Sequence, residues 1–125
     1  MEKRKRTTSI GVIEKEPFGS PYVLAMAVVG GPDLHSIHRI VNMETLVGRS
    51  KLADYCLADD MISDEHIRIR VNNQLFSLID LGSTNGTYVN SQKVTEGTPI
   101  RLKNLDIIQI GKTKMIFLAN RFRNE

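Results

Sequence analysis

Arg49 has a side chain whose chemistry suits the binding of an anion. Its guanidinium group is permanently charged, and its planar fork can bind two oxygens at once. Arg49 follows Gly48 at the end of a β-like run, residues 45–47, so a strand would position it. Hydroxyl and amide donors follow in two later loops, at Ser63 and at residues 83–85, which read Ser-Thr-Asn. Brought together, one cation and several small donors could surround an anion.

Each of these features also has an ordinary structural interpretation. Residues 82–86 read Gly-Ser-Thr-Asn-Gly, and Gly82 and Gly86 allow positive φ angles at both ends of the loop. Since Asn-Gly is the strongest short signal for a hairpin turn, this loop alone is equally well explained as a hairpin. Likewise, Arg49 alone could be a solvated surface charge and Ser63 a turn residue.

The elements that must position these loops are predicted to be β-strands. Residues 67–71 alternate as Ile-Arg-Ile-Arg-Val, which places the apolar side chains on one face of a strand and both arginines on the other. No segment shows a convincing helical period over three turns. Many short strands separated by turn signals are typical of a β-sandwich or barrel. The main predicted strands cover residues 22–29, 38–41, 45–47, 67–71, 75–79, 88–89, 93–94, 99–102, 106–110 and 115–118, with turns at residues 72–73, 90–91 and 111–112.

Three motifs in order, Gly-Arg, Ser-x-x-His and Gly-Ser-Thr-Asn-Gly-Thr, resemble the forkhead-associated (FHA) domain, a phosphothreonine-peptide-binding module, in its bacterial form. The resemblance runs from about Tyr22 to about Leu118. It implies an all-β, two-sheet β-sandwich of about eleven short, mostly antiparallel strands, which agrees with the strand pattern. We expect a basic, flexible N-terminal tail at residues 1–20, an FHA-like domain at residues 21–119 and a short C-terminal tail at residues 120–125.

The resemblance also implies the roles of individual residues. A phosphothreonine offers about two negative charges and three strong acceptor oxygens. In the family, the residues matching Arg49 and Ser63 hold the phosphate, the residue matching Thr84 assists, and the residue matching Asn85 grips the peptide. The remaining predicted members of the phosphopeptide site are Ser50, Asp64 and Ser83, and the predicted structural supports of the binding loops are Gly48, His66 and Gly86.

Two positions depart from the family pattern. Asp64 follows Ser63 where the family often has a basic or amide-bearing residue, and Glu65 adds a second carboxylate. The carboxylates could point away, select basic residues near the phosphothreonine, or weaken phosphate binding, and the sequence leaves these three alternatives open. The second departure is Leu105, which precedes Asp106 where the family usually has glycine. Because a positive φ would strain leucine, we expect this turn to have a different geometry.

The charge of the chain is concentrated at its N-terminus. The formal net charge is +3 over 125 residues, and residues 1–6, Met-Glu-Lys-Arg-Lys-Arg, already sum to +3, so residues 7–125 carry 13 basic and 13 acidic side chains. Basic residues before a hydroxyl are a common kinase preference, which makes Thr7 and Thr8 possible phosphorylation sites. Some bacterial FHA proteins bind their own phosphorylated N-terminal threonine, and this tail looks similar to theirs.

Composition and length limit the other possibilities. A chain of 125 residues with 41% hydrophobic and 25% charged residues is typical of one soluble domain, and no apolar run reaches the roughly 20 residues of a membrane helix. We predict no membrane association and no nucleic-acid partner, since there is no basic helix and no run of aromatic residues. Cys56 is the sole cysteine; we expect it to be a small buried hydrophobe in a cytoplasmic protein.

No enzymatic or metal site is predicted. No motif places a serine or cysteine beside one of the three histidines, and Asp33, His35 and His38 lack a fourth ligand for a metal. We therefore expect neither catalysis nor a cofactor, but a signalling module that recognises phosphothreonine in partners of a serine/threonine kinase pathway. The alternative, supported by Asp64 and Glu65, is a phosphate-independent interaction or oligomerisation module on the same fold.

Overall fold

The computed structural model describes residues 22–121, and these residues form eleven β-strands and no helix. The strands are β1 (Tyr22–Gly30), β2 (Ile37–Ile40), β3 (Glu44–Gly48), β4 (Tyr55–Cys56), β5 (Ile67–Asn72), β6 (Leu75–Asp80), β7 (Thr87–Val89), β8 (Gln92–Lys93), β9 (Ile100–Leu102), β10 (Ile107–Ile110) and β11 (Thr113–Arg121). The predicted N-terminal tail, residues 1–20, lies outside the described residues, as do residues 122–125. Strand β11 continues past residue 119, where the domain was expected to end.

The strands pair into two sheets. The five-stranded sheet has the order β9-β6-β5-β3-β4, and the six-stranded sheet has the order β2-β1-β11-β10-β7-β8. Every neighbouring pair is antiparallel except β3 and β4, which run parallel. The predicted all-β fold of two mostly antiparallel sheets is thereby confirmed, although β4, with only two residues, is missing from the predicted strands.

The hydrophobic core lies between the two sheets. Strand β5 directs Ile67, Ile69 and Val71 into it and turns Arg68 and Arg70 outward, as the alternation predicts. Both arginines contact Glu44, with Nε–carboxylate distances of 3.6 and 3.2 Å. The largest fully buried side chains include Phe117, Leu24, Met26, Ile40, Leu57, Leu78 and Ile108. Across residues 22–121 there is no helix of the length and hydrophobicity that crossing a bilayer requires.

The predicted turns are found with one small shift. Asn90 and Ser91 have φ angles of 50° and 71°, the left-handed conformations of a two-residue hairpin turn. The turn predicted at residues 72–73 lies one residue later, because Asn72 still pairs with Leu75 in the ladder. Asn73 takes the positive φ there, at 60°.

The prediction for Leu105 is wrong. Its φ is 76°, so the turn keeps the left-handed conformation although a leucine occupies it, at a cost of roughly 1–2 kcal/mol. Neighbouring hydrogen bonds hold the turn in this conformation. The Leu105 amide donates to the Phe117 carbonyl at 2.7 Å. The buried Asp106 carboxylate accepts from the Lys103 amide at 2.8 Å and from Asn90 Nδ2 at 3.0 Å. The leucine side chain avoids a clash by projecting outward, where 61% of its surface is exposed.

The prediction that Cys56 is buried is also wrong. Its neighbours Tyr55 and Leu57 are buried, and Cys56 itself is exposed, because alternate residues of a strand face opposite sides. Its thiol lies 3.4 Å from the carbonyl oxygen of Arg49.

Candidate functional site

Three loops between successive strands meet at one end of the sandwich. Arg49 lies between β3 and β4, Ser63 lies between β4 and β5, and Thr84 lies between β6 and β7. The first two loops are joined by their backbones, since the Arg49 amide donates to the Ser63 carbonyl at 3.0 Å and the Ser50 amide donates to the Asp64 carbonyl at 3.2 Å. We call these three segments the recognition loops.

Gly48 is required by the close approach of the first two recognition loops. A Cβ atom at this position would lie 1.9 Å from the carbonyl oxygen of Asp64, far inside van der Waals contact. Any other residue would push the loop carrying Arg49 away from the loop carrying Ser63. The glycine therefore sets the spacing of the two side chains.

Side chains join the second and third recognition loops. Ser63 Oγ accepts a hydrogen bond from the Thr84 amide at 3.0 Å, and Asn85 Nδ2 donates to the Met61 carbonyl at 3.0 Å. In this arrangement the Ser63 hydroxyl proton can still be donated outward, and the Asn85 amide keeps its carbonyl acceptor. The same two residues thus order the loops and present groups that a ligand can use.

The Asp64 carboxylate lies beside the Arg49 guanidinium. The Nε–Oδ1 distance is 3.8 Å, and the two side chains are 48% and 74% exposed. An exposed ion pair of this length contributes little to stability. Arg49 is therefore held loosely, and Asp64 does not point away from it.

His66 braces two recognition loops from inside. It is fully buried; its Nδ1 accepts from the Ser63 amide at 3.1 Å, so Nε2 carries the proton and donates to the Gly86 carbonyl at 2.9 Å. Burial lowers the pKa of His66, and this effect outweighs the opposing effects of the Gly86 bond and of the Asp80 and Asp59 charges. The ring is neutral at pH 7 and keeps both bonds.

Asp80, which the sequence analysis did not select, organises the third recognition loop. Its buried carboxylate accepts from the hydroxyls of Ser83 and Thr87, both at 2.6 Å, and from the amides of Gly82 and Ser83 at 3.0 and 3.1 Å. Burial alone would raise the pKa of Asp80, but these four hydrogen bonds together lower it. The signal in the sequence was an acidic residue that ends an apolar strand just before Gly-Ser, a typical side-chain-capped turn.

Ser83 is consequently committed to the loop itself. Besides donating to Asp80, its Oγ accepts from the Gly86 amide at 3.0 Å. Gly86 has a φ of 87°, and a Cβ there would lie 3.0 Å from Lys93 Cε. Ser83 and Gly86 therefore shape the loop, whereas Thr84 and Asn85 stand at its tip.

Asp59 is a second buried carboxylate that the sequence analysis missed. It accepts from the Met61 amide at 2.9 Å, the Lys112 amide at 2.6 Å and the Thr113 hydroxyl at 2.7 Å. Burial would raise the pKa of Asp59, and the hydrogen bonds outweigh it, so that the pKa is lowered. Asp59 fastens the second recognition loop to the β10–β11 hairpin and so fixes the Met61 carbonyl that Asn85 binds.

A cavity of about 370 Å³ opens beside the third recognition loop. It lies between that loop and the segment that follows β8. Both a cation and a carboxylate border it, so a peptide side chain entering it would meet charge of either sign. Its lining residues are Asp80, Ser83, Thr84, Gly86, Lys93, Val94, Thr95 and Glu96.

Residues 45–111, which include all three recognition loops, match the family of the FHA domain. The chain belongs to the FHA family. Among its relatives, the glycogen accumulation regulator GarA of Mycobacterium tuberculosis is 33% identical over 118 residues, which cover 94% of this chain and 69% of that protein. The oxoglutarate dehydrogenase inhibitor of Corynebacterium glutamicum is 34% identical over 106 residues, which cover 85% of this chain and 70% of that protein.

Solved structures agree with this assignment. An FHA domain studied for phosphothreonine-dependent FHA interactions superposes with a TM-score of 0.68 and 26% identity, covering 82% of this chain and 99% of that one. FHA membership confirms the predicted family and the prediction of a phosphothreonine-dependent interaction module rather than an enzyme. The two relatives described above are named as a regulator and an inhibitor.

The structure brings most of the predicted site residues of this FHA domain to one end. Arg49, Ser50, Ser63, Asp64 and the segment 83–86 all belong to the recognition loops. Thr7 and Thr8 lie outside the described residues. The roles of these residues toward a ligand remain predictions, and their positions are what the structure adds.

Two of the three residues considered for a metal site, Asp33 and His38, have structural roles in this FHA domain. Asp33 accepts from the Ala58 amide at 2.7 Å, and the His38 ring stacks on Tyr55 with ring centroids 4.6 Å apart. Burial lowers the pKa of His38, against the opposing charge of Asp54. Within residues 22–121 there is no group of three or more histidine, cysteine or acidic side chains that could hold a metal.

Proposed function

We propose that this FHA domain binds phosphothreonine in partner proteins of a serine/threonine kinase pathway, with the phosphate held by Arg49, Ser63 and Thr84 and the peptide backbone by Asn85. The observation that carries the proposal is the set of hydrogen bonds between the recognition loops. These bonds place one guanidinium group and several hydroxyl and amide groups around one surface.

Arg49 should attract a phosphate more strongly than it attracts the Asp64 carboxylate that it contacts in the structure. The Arg49–Asp64 pair is long and exposed, whereas a phosphate monoester carries about two charges and can accept both arms of the guanidinium fork. The loops are already ordered by Ser63, His66 and Asp80, so binding requires little further ordering of the backbone. The phosphate should therefore displace Asp64 from Arg49.

The direct test compares one peptide with and without phosphate on its threonine. Isothermal titration of the full chain should give binding only for the phosphorylated form. Equal affinities would favour the second candidate, a phosphate-independent interaction module. That alternative is supported by the position of the Asp64 carboxylate beside Arg49.

We expect Asp64→Arg to strengthen phosphopeptide binding. The substitution removes a carboxylate that repels the phosphate and adds a cation beside Arg49. It should lower Kd by roughly threefold at low ionic strength, and less at high salt, where exposed charges are screened. The matched control is Asp60→Arg, which makes the same change on the same loop, where Asp60 pairs with Lys112 at 3.5 Å instead. Titrations at two salt concentrations would reject the role of Asp64 if both variants behave alike.

We further propose that the N-terminal tail is a ligand of its own domain when Thr7 or Thr8 is phosphorylated. The support is the basic run at residues 3–6 directly before these threonines. Fourteen residue steps from Thr8 to Tyr22 could span up to about 45–50 Å, and a tethered ligand competes at an effective concentration of order millimolar.

Phosphorylation at Thr7 or Thr8 should shift the backbone NMR signals of the recognition loops and weaken binding of an external phosphopeptide. The control is the same phosphorylated chain carrying Arg49→Ala, whose signals should move much less. Unchanged signals together with unchanged external affinity would exclude self-binding.

The proposal also includes the cellular location of the chain and the boundaries of the domain. We place the chain in the cytoplasm, supported by its single cysteine. We also retain the predicted tail at residues 1–20, and we extend the predicted domain, residues 21–119, to Arg121, where its last strand ends.

A further inference from the structure

A second wall faces the third recognition loop across the cavity beside it. This wall belongs to the segment between β8 and β9, residues 94–99. The Val94 amide donates to the Thr87 carbonyl, just past the loop, at 2.9 Å, and Val94 packs against the hydrophobic core. The Gly97 amide donates to the Asp80 carbonyl, just before the loop, at 2.9 Å. Because the segment is tied to both ends of the loop, the cavity of about 370 Å³ lies between two fixed walls.

Glycines in the loop make room for two charged side chains, those of Lys93 and Glu96. A Cβ atom at Gly82 would lie 2.9 Å from Glu96 Oε2. A Cβ atom at Gly86 would lie 3.0 Å from Lys93 Cε. The carboxylate therefore lies over the start of the loop, and the lysine lies over its end. Within residues 22–121 neither side chain takes part in a salt bridge, so both charges are open to a ligand.

Negative charge predominates in the cavity. Its lining carries two carboxylates, those of Asp80 and Glu96, and one ammonium group, that of Lys93. Burial would raise the pKa of Asp80, but its hydrogen bonds together lower it, so this carboxylate is charged at neutral pH. Four hydrogen bonds occupy the acceptor positions of Asp80. Asp80 therefore contributes its charge, and Glu96 is the carboxylate that a ligand can contact.

Thr84 connects this cavity to the phosphate site proposed above. Its amide donates to Ser63 Oγ at 3.0 Å, and Thr84 also lines the cavity. Consecutive residues of an extended peptide are about 3.3–3.6 Å apart. A residue one to three positions from a phosphothreonine bound at Ser63 therefore lies roughly 3–11 Å from it. Over that distance the side chain of a flanking residue can pass Thr84 and enter the cavity.

We propose that this cavity is a subsite for a lysine or arginine side chain close to the phosphothreonine, bound through the Glu96 carboxylate. The subsite rests on the proposed function and narrows its ligands to phosphothreonine peptides with a basic residue within three positions. Arginine suits it best, because its planar fork can donate two hydrogen bonds to one carboxylate. Lys93 repels the same side chain from the other end of the loop and limits the gain in affinity.

The N-terminal residues of this chain have the composition that the subsite accepts. Residues 3–6, Lys-Arg-Lys-Arg, occupy the four positions before Thr7. A partner with the same basic run before a phosphothreonine would present a cation to Glu96 while its phosphate binds Arg49. An acidic residue in that position would meet Glu96 as a like charge, which disfavours binding. The cavity thus distinguishes basic from acidic flanking sequences.

A set of synthetic phosphothreonine peptides tests the subsite. Their flanking residues are alanine, except for a single arginine that is moved from three positions before the phosphothreonine to three positions after it. In titration calorimetry with the unphosphorylated full chain, arginine at one position should lower Kd roughly three- to fivefold relative to alanine, as a partly exposed ion pair does. Glutamate at that position should raise Kd. A peptide set in which no position favours arginine, or in which glutamate binds more tightly, would overturn the subsite.

Two variants should change the preference for arginine over alanine in opposite directions. Glu96→Gln removes the carboxylate and should abolish the preference, whereas Lys93→Gln removes the repelling cation and should increase it about twofold. The matched control is Glu65→Gln, which makes the same charge change at an exposed position of the second recognition loop, outside the cavity lining. Each preference is a ratio of two Kd values for one protein, so a general effect on phosphate binding cancels. Equal changes in Glu96→Gln and Glu65→Gln would mean that the cavity does not bind the arginine.

Backbone NMR spectra locate the arginine side chain independently of affinity. The arginine peptide should shift the amide signals of residues 94–97 more than the alanine peptide does, while both peptides shift the signals of the recognition loops. Equal shifts at residues 94–97 would contradict the subsite.

The alanine peptide separates the failure of the subsite from the failure of the proposed function. If it binds only when its threonine is phosphorylated, the proposed function stands, and an absent arginine preference rejects the subsite alone. If no phosphopeptide of the set binds, the proposed function fails and the subsite fails with it.

Discussion

Arg49→Ala should weaken binding of a phosphothreonine peptide by about 10- to 100-fold. Arg49 supplies the guanidinium group on the recognition loops, and losing a hydrogen bond to a charged group costs about 1.5–3 kcal/mol. The fold should be unaffected, because the Arg49 side chain is half exposed and its ion pair with Asp64 is long. The loop itself is held by the Arg49 backbone amide and by Gly48, neither of which the substitution removes.

Two further variants separate charge from geometry. Arg49→Lys keeps the charge but loses the planar fork, so its Kd should lie between those of the native chain and of Arg49→Ala. Arg70→Ala makes the same charge change on the outer face of the five-stranded sheet, where Arg70 contacts Glu44, and should bind normally. Titration calorimetry with one phosphopeptide checks all three. Native affinity in Arg49→Ala would remove Arg49 from the site.

The sequence predicted those parts of the fold in which local pattern and tertiary environment agree. The alternation at residues 67–71 identifies β5 because one face of that strand is buried and the other faces solvent. The Asn90-Ser91 turn is found where expected, since its residues tolerate positive φ. The order of Gly-Arg, Ser-x-x-His and Gly-Ser-Thr-Asn-Gly-Thr identified the family before any geometry was known.

The errors arise where long-range contacts override local preference. Leu105 adopts a positive φ because bonds to distant Phe117 and around Asp106 hold its turn. Cys56 is exposed because β4 pairs in parallel with β3 and buries the residues on either side of it. Asp59 reads as an ordinary loop acid, since nothing local indicates that Thr113 would meet it in the core.

Asp80→Asn should lower the stability of the domain by about 2–3 kcal/mol. The Asp80 carboxylate accepts four hydrogen bonds, including one from the fully buried hydroxyl of Thr87. Asparagine has a single acceptor oxygen, so its amide group would oppose some of these donors, and bonds to charged groups are the expensive ones to lose. For a domain of this size the melting temperature should fall by roughly 10–20 °C.

The pH dependence of stability gives the same residue a distinct signature. Because the pKa of Asp80 is lowered in the folded state, its contribution is fully present above the unfolded value of 3.8 and is lost as pH falls through the folded pKa. Asp80→Asn should therefore lose stability at neutral pH and show a smaller further loss in acid. The control is Asp64→Asn, which removes an exposed carboxylate. It should leave both the stability at neutral pH and the loss of stability in acid nearly unchanged. Thermal unfolding measured from pH 7 into acid compares the native chain, Asp80→Asn and Asp64→Asn. If the native chain and Asp80→Asn lose stability with falling pH in the same way, Asp80 does not hold the third recognition loop through its charge.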